Sequence, residues 1–157
     1  MEKIEIIKKE TEELLAKMIN KFEVEVVEEL GVYQIIIKTE DEASTVIGKH
    51  GETIRSLQKI LEVILYKKFN QPVEILVNVN DFREKQKERL EVLANEYAQK
   101  TQITHSPSFI RNLSSYERKL IHEYITKNYP DLTTYSIGEG RDRRLVIDLK
   151  TNTPVNY

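Results

Sequence analysis

The chain has 157 residues, 39% hydrophobic and 32% charged, a balance that fits a soluble globular protein and excludes a disordered or fibrous one. It has no cysteine, which excludes disulfides, thiolate nucleophiles and cysteine-ligated zinc. The formal net charge of −2 argues against strong non-specific DNA binding, but the acid is unevenly spread. Residues 1–40 carry 6 Lys+Arg against 10 Asp+Glu, whereas residues 81–157 carry 13 against 11, so a focused basic site is compatible with the total. No apolar run approaches the roughly 18–20 residues that span a bilayer, and the N-terminus has no signal-peptide core. The expectation is a cytoplasmic protein without membrane insertion.

In chain order, Ile4, Ile7, Thr11, Leu14, Leu15 and Met18 recur at helical spacing and predict a helix over about residues 3–20. Phe22, Val24 and Val26 alternate with acids as in a half-buried strand, and after a turn at Gly31 the stretch Val32–Lys38 predicts an antiparallel partner. Asp41 is the expected N-cap of a short helix over Glu42–Ile47, ended by Gly48. A longer helix follows Gly51, stops at Asn70-Gln71-Pro72, and is succeeded by a strand over Val73–Val79. The order is α-β-β-α-α-β.

A helix from Phe82 to about Lys100 comes next, polar in its first half and striped by Leu90, Leu93, Ala94, Tyr97 and Ala98 in its second. That pattern predicts a linking helix, with a domain boundary near Asn80. Ser108–Arg111 reads as extended. Ser114 and Glu117 then form a capping box for a helix over Ser115–Asn128, with Tyr116, Leu120, Ile121, Tyr124 and Ile125 as its buried arc. Strands over Thr133–Ile137 and Arg143–Leu149, joined by Gly138-Glu139-Gly140, complete the chain. The predicted organisation is residues 1–80, residues 81–150 and a frayed tail over 151–157.

Two stretches carry chemistry. In Ile47-Gly48-Lys49-His50-Gly51, two glycines bracket a lysine and a histidine where one helix stops and another starts. Without side chains at Gly48 and Gly51, a sugar-phosphate backbone can approach the main chain, and the amides opening the next helix favour phosphate. Lys49 adds a charge and His50 a second donor, while Ile47 and Ile54 are expected to form an apolar floor for bases. The bland alternative is a tight helix-helix turn whose glycines serve geometry alone. A P-loop is excluded because its lysine-containing motif is absent.

The second stretch places Arg118 and His122 four residues apart on one helix face, at the edge of the apolar arc. The bland alternative is an exposed pair of little consequence. His122 lacks the second histidine of a zinc-protease helix, so no metal site is expected. No grouping of nucleophile, base and orienting residue is legible, so an enzyme is not expected, nor any cofactor.

The Gly48–Gly51 turn in its α-β-β-α-α-β setting resembles a type II KH domain, which holds about four nucleotides between a phosphate clamp and an apolar groove. Arg118 and His122, with Tyr116-Glu117, Tyr135-Ser136, Gly138-Glu139-Gly140 and the run Arg143–Ile147, resemble an R-three-H domain, a fold of helices on a small antiparallel sheet. Both in this order resemble the bacterial Jag family, also called KhpB, in a short form without its N-terminal Jag domain. The resemblance covers about residues 1–150. It implies an α+β RNA-binding protein in which Arg118 and His122 contact single-stranded RNA, with Tyr135, Arg143 and Arg144 as secondary contacts. It also implies a regulator of bacterial cell elongation and division, single-stranded DNA as a further ligand, and a small KH-domain protein as a partner. The alternative is a protein-interaction adaptor in which RNA binding is secondary, a reading favoured by the negative net charge.

Overall fold

In the computed structural model, which describes residues 2–152, the opening periodicity becomes helix α1 (Glu2–Leu15). It stops short of residue 20 because the amides of Lys17 and Met18 bond to carbonyls three residues back, at 3.2 and 2.8 Å, tightening the chain out of the helix. Strands β1 (Glu23–Glu29) and β2 (Val32–Lys38) form an antiparallel hairpin. Its tip is Leu30 at φ 52° and Gly31 at φ 82°, two successive left-handed residues of the kind two-residue hairpin loops use. Leu30 is 98% exposed there.

Helix α2 (Ala43–Ile47) is capped at Glu42 rather than Asp41, and no side chain caps it. The Glu42 carboxylate is committed elsewhere, accepting from the amides of Asn20 and Lys21 at 3.1 Å and tying the entry of β1 to the start of α2. Helix α3 (Glu52–Phe69) leads to β3 (Ile75–Val79), which pairs parallel to β2 and completes a sheet of order β1-β2-β3. Alternate residues of β2 (Tyr33, Ile35, Ile37) and β3 (Ile75, Val77, Val79) enter a core closed by Ile7 and Leu15 of α1 and by Ile54, Leu57, Leu61 and Leu65 of α3. Each such side chain contributes about 1.5–3 kcal/mol by leaving water.

The chain divides into two compact units between Arg83 and Glu84, inside the first turn of α4 (Phe82–Thr104). In the second unit the apolar stripe of α4 (Leu90, Ala94, Ala98) is buried as its spacing demands, and Gln86, read as part of a solvated half, is buried too. Strand β4 (Ser108–Ile110), helix α5 (Ser115–Asn128) and strands β5 (Leu132–Ile137) and β6 (Arg144–Leu149) follow. They form an antiparallel sheet of order β4-β6-β5. Ile110, Leu132, Leu145 and Ile147 face Ile121 and Ile125 in its core. The whole is mixed α and β with two small sheets.

The inward line of α5 is Glu117, Ile121 and Ile125, so Tyr116, expected in the buried arc, is 36% exposed instead. The cause is the buried Glu117 carboxylate. It accepts from the Ser114 amide at 3.0 Å, completing the capping box, and from Arg89 at 3.0 Å. With Glu117 held inward, the residue before it, about 100° around the helix, turns to solvent. Of the expected frayed tail, Thr151 and Asn152 lie in a short 3₁₀ turn, where the Asn152 amide donates to the His105 carbonyl (3.2 Å) and to Asp148 (3.1 Å). Residues 153–157 lie outside the described residues.

Candidate functional site

Two loci emerge, each built within its own unit. In the first, the turn between α2 and α3 is set by the backbone. Gly48 closes α2 through its amide to Ser44 (2.9 Å) at φ 71°, ψ 178°, a combination that only glycine adopts without strain. A Cβ there would collide with the side chain of Thr53 and lie 2.9 Å from its amide nitrogen. A single 3₁₀ turn over Lys49–Gly51 follows, with His50 (φ 55°) and Gly51 (φ 75°) both left-handed. Gly51 is the N-cap of α3, so no side chain occupies the cap and the helix opening is left to the main chain.

Lys49 is exposed, His50 and Ile47 are half-buried, and Gly51 is buried. Ile54, expected in an apolar floor for bases, is 1% exposed and belongs to the core under α3, so it offers no ligand surface. What remains is a short cationic rim on a glycine-shaped turn leading into an 18-residue helix, whose dipole favours an anion.

In the second unit, Arg118 lies in the first turn of α5 and donates to the Leu113 carbonyl (2.8 Å) and the Ser115 hydroxyl (3.2 Å). Both acceptors are neutral, so they aim the guanidinium without cancelling its charge. Its pKa is held below the ordinary arginine value, chiefly by burial and secondly by the Arg143 guanidinium nearby. Arg143 is in turn held by the Gly138 carbonyl at 2.9 Å. Gly138 sits at φ 86°, where a Cβ would meet the Asp142 carbonyl oxygen at 2.8 Å, so glycine is required for this turn. His122 is exposed, and its Nδ1 is hydrogen-bonded to the Thr134 hydroxyl of β5, leaving Nε2 as the nitrogen directed away from that bond.

Of the residues expected here, Arg118, His122 and Arg143 are therefore oriented by neutral partners along the β5 side of α5. Tyr135 and Arg144 belong to the other face of the sheet. Thr134 pairs with core residue Ile147, whereas Tyr135 pairs with Val146 and Arg144 with Ile137, on the face that alternates with it. Leu113, Ser115 and Thr134, which orient the arginine and the histidine, carried no signal beyond ordinary loop and strand positions in the sequence. Arg89, the partner of Glu117, could not be assigned because the contact joins residues 28 apart. Among the described residues no group of three His, Asp or Glu side chains could hold a metal ion, and no helix is long and apolar enough to cross a membrane.

A family model for the R-three-H domain matches residues 86–149. The chain is 32% identical over 110 residues to RNA-binding protein KhpB of Clostridium symbiosum, covering 70% of this chain and 49% of that protein. It is 34% identical over 104 residues to the KhpB of Lactiplantibacillus plantarum, covering 66% and 32% respectively. With the KhpB of Bacillus subtilis it shares 33% over 114 residues, covering 71% and 54%. The matched segment thus spans about half of these relatives or less.

Proposed function

The chain belongs to the Jag/KhpB family, and from that premise we propose that it binds single-stranded RNA as a non-enzymatic regulator, using one site in each unit. The observation that carries this reading is the pair Arg118 and Arg143. Burial, and secondly the Arg143 charge, hold the Arg118 pKa low, and the bonds that aim both guanidiniums end on neutral groups. Such a locus is relieved by a phosphate, to which arginine donates in a fixed fork. His122, anchored through Nδ1, adds a ring beside it for phosphate bonding or base stacking.

The first unit is read as a type II KH domain in residues 1–80. Its support is the element order and the parallel docking of β3 on β2, with the Gly48–Gly51 turn as phosphate clamp and Lys49 and His50 at its rim. Residues 81–150 are read as linking helix and R-three-H domain. Two weak sites on one chain can raise avidity by about 10²–10⁴-fold when both engage. Within the family reading, the RNA-linked role is in cell elongation and division in the bacterial cytoplasm, and a small KH-domain protein is a partner.

Fluorescence anisotropy with a random single-stranded RNA of about 12–20 nucleotides, several times one KH site, tests the reading at fixed salt. Loss in both a Lys49→Asp/His50→Asp variant and an Arg118→Ala/His122→Ala variant is expected. Loss in one alone would reduce the proposal to a single site. Absence of binding by folded wild type at micromolar protein would sink it in favour of the protein-interaction adaptor.

A further inference from the structure

The face of the β4-β6-β5 sheet opposite its core carries a feature that neither locus uses. Phe109 on β4 and Tyr135 on β5 both pair with Val146 on the central strand, so the three side chains stand in one row across the sheet. Val146 is 1% exposed, whereas Phe109 is 45% and Tyr135 42% exposed. The aliphatic centre of the row is sealed, and the apolar surface left to solvent in it belongs to two aromatic rings. The Arg144 guanidinium lies over the Phe109 ring, 5.7 Å from its centroid.

We propose that Phe109, Tyr135 and Arg144 form a base-stacking platform on which single-stranded RNA lays two splayed bases, a subsite separate from the arginine-histidine locus on the core side. The inference rests on the RNA-binding reading above. Neighbouring strands lie 4.7–4.9 Å apart, so the two ring-bearing Cα atoms are about 10 Å apart across the central strand, which suits one base per ring rather than a sandwich. Charge favours a polyanion over an apolar protein partner. On this face the central strand carries Arg144, its guanidinium over the Phe109 ring. Asp148, the acid on the same face, is 7% exposed and occupied by the Leu149 amide and the Asn152 side chain. Aromatic rings tolerate any base because every base has a π face, and arginine adds to the stack.

The test compares the full chain with Phe109→Leu, Tyr135→Leu and Tyr135→Phe variants. Binding is read by anisotropy against a single-stranded RNA and an abasic strand of the same length. Leucine keeps the apolar cover over Val146 but removes the ring. Each leucine variant is expected to weaken RNA binding by about 10-fold, Tyr135→Phe to leave it near wild type, and all three to leave the abasic strand unaffected. RNA affinity unchanged in both leucine variants would overturn the platform and assign the surface to a protein partner. Equal losses on both strands would also overturn it, since the effect would then lie in charge or folding. Failure of wild type to bind any RNA would instead strike the underlying function, and the platform with it.

Discussion

The turn at Gly48–Gly51 and the face of α5 solve the same problem with different materials. The turn is shaped by main-chain angles: Gly48 in a region closed to other residues, then His50 and Gly51 left-handed in succession. Its side chains are peripheral to that shape. The α5 face has ordinary helical backbone, and its geometry resides in side-chain bonds: Arg118 to Leu113 and Ser115, Arg143 to Gly138, His122 to Thr134. A site made by the backbone should fail through folding when its glycine is changed, and keep its fold when its exposed residues are exchanged. A site made by side chains should lose affinity by degrees while the fold survives.

The largest break in that contrast is expected from Gly48→Ala. The added Cβ meets Thr53 and the φ is strained, so the first unit should lose about 3 kcal/mol, read by urea denaturation. Lys49→Ala, one residue on, should leave the denaturation midpoint where it is. Equal midpoints for both variants would refute a backbone-built turn.

Next in size is Thr134→Val, which keeps volume but removes the anchor of His122. A stability loss of about 1 kcal/mol is expected, together with a several-fold weaker RNA complex. An unchanged affinity would mean that His122 needs no fixed orientation.

The smallest effect on stability is expected from Arg143→Ala, whose bond to the Gly138 carbonyl is exposed. The unfolding midpoint of the second unit should stay near wild type, while RNA binding weakens and its salt dependence shrinks by about one phosphate contact. Unchanged RNA affinity and salt dependence would mean that Arg143 meets no phosphate.

Elements with a strong period were legible in the sequence. The alternation of Phe22, Val24 and Val26 with acids predicts the strand that becomes β1, and the capping box at Ser114–Glu117 marks the start of α5 to the residue, because its two bonds are local. Where prediction and structure part, a distant contact decides. Glu42 displaces Asp41 at the start of α2 because its carboxylate is drawn to amides some twenty residues earlier. Tyr116 turns outward because Glu117 is held by Arg89, and Ile54 is core because the unit closes over α3. The candidate residues were legible as types at a spacing. That Tyr135 and Arg144 stand across the sheet from Arg118 depends on strand register, which composition does not carry. Phe109 was hidden in a three-residue strand too short to display its period.

The hairpin tip offers a use unrelated to either site. Leu30 is held at φ 52° with nearly all its surface in water, a conformation that costs an ordinary L-residue about 1–2 kcal/mol and suits asparagine before Gly31. Leu30→Asn should therefore raise the unfolding midpoint of the first unit without touching the turn. The hairpin tip is in that sense a dormant reserve of folding free energy. A suppressor drawn from it would keep Gly48→Ala protein folded long enough for its RNA affinity to be measured apart from its fragility.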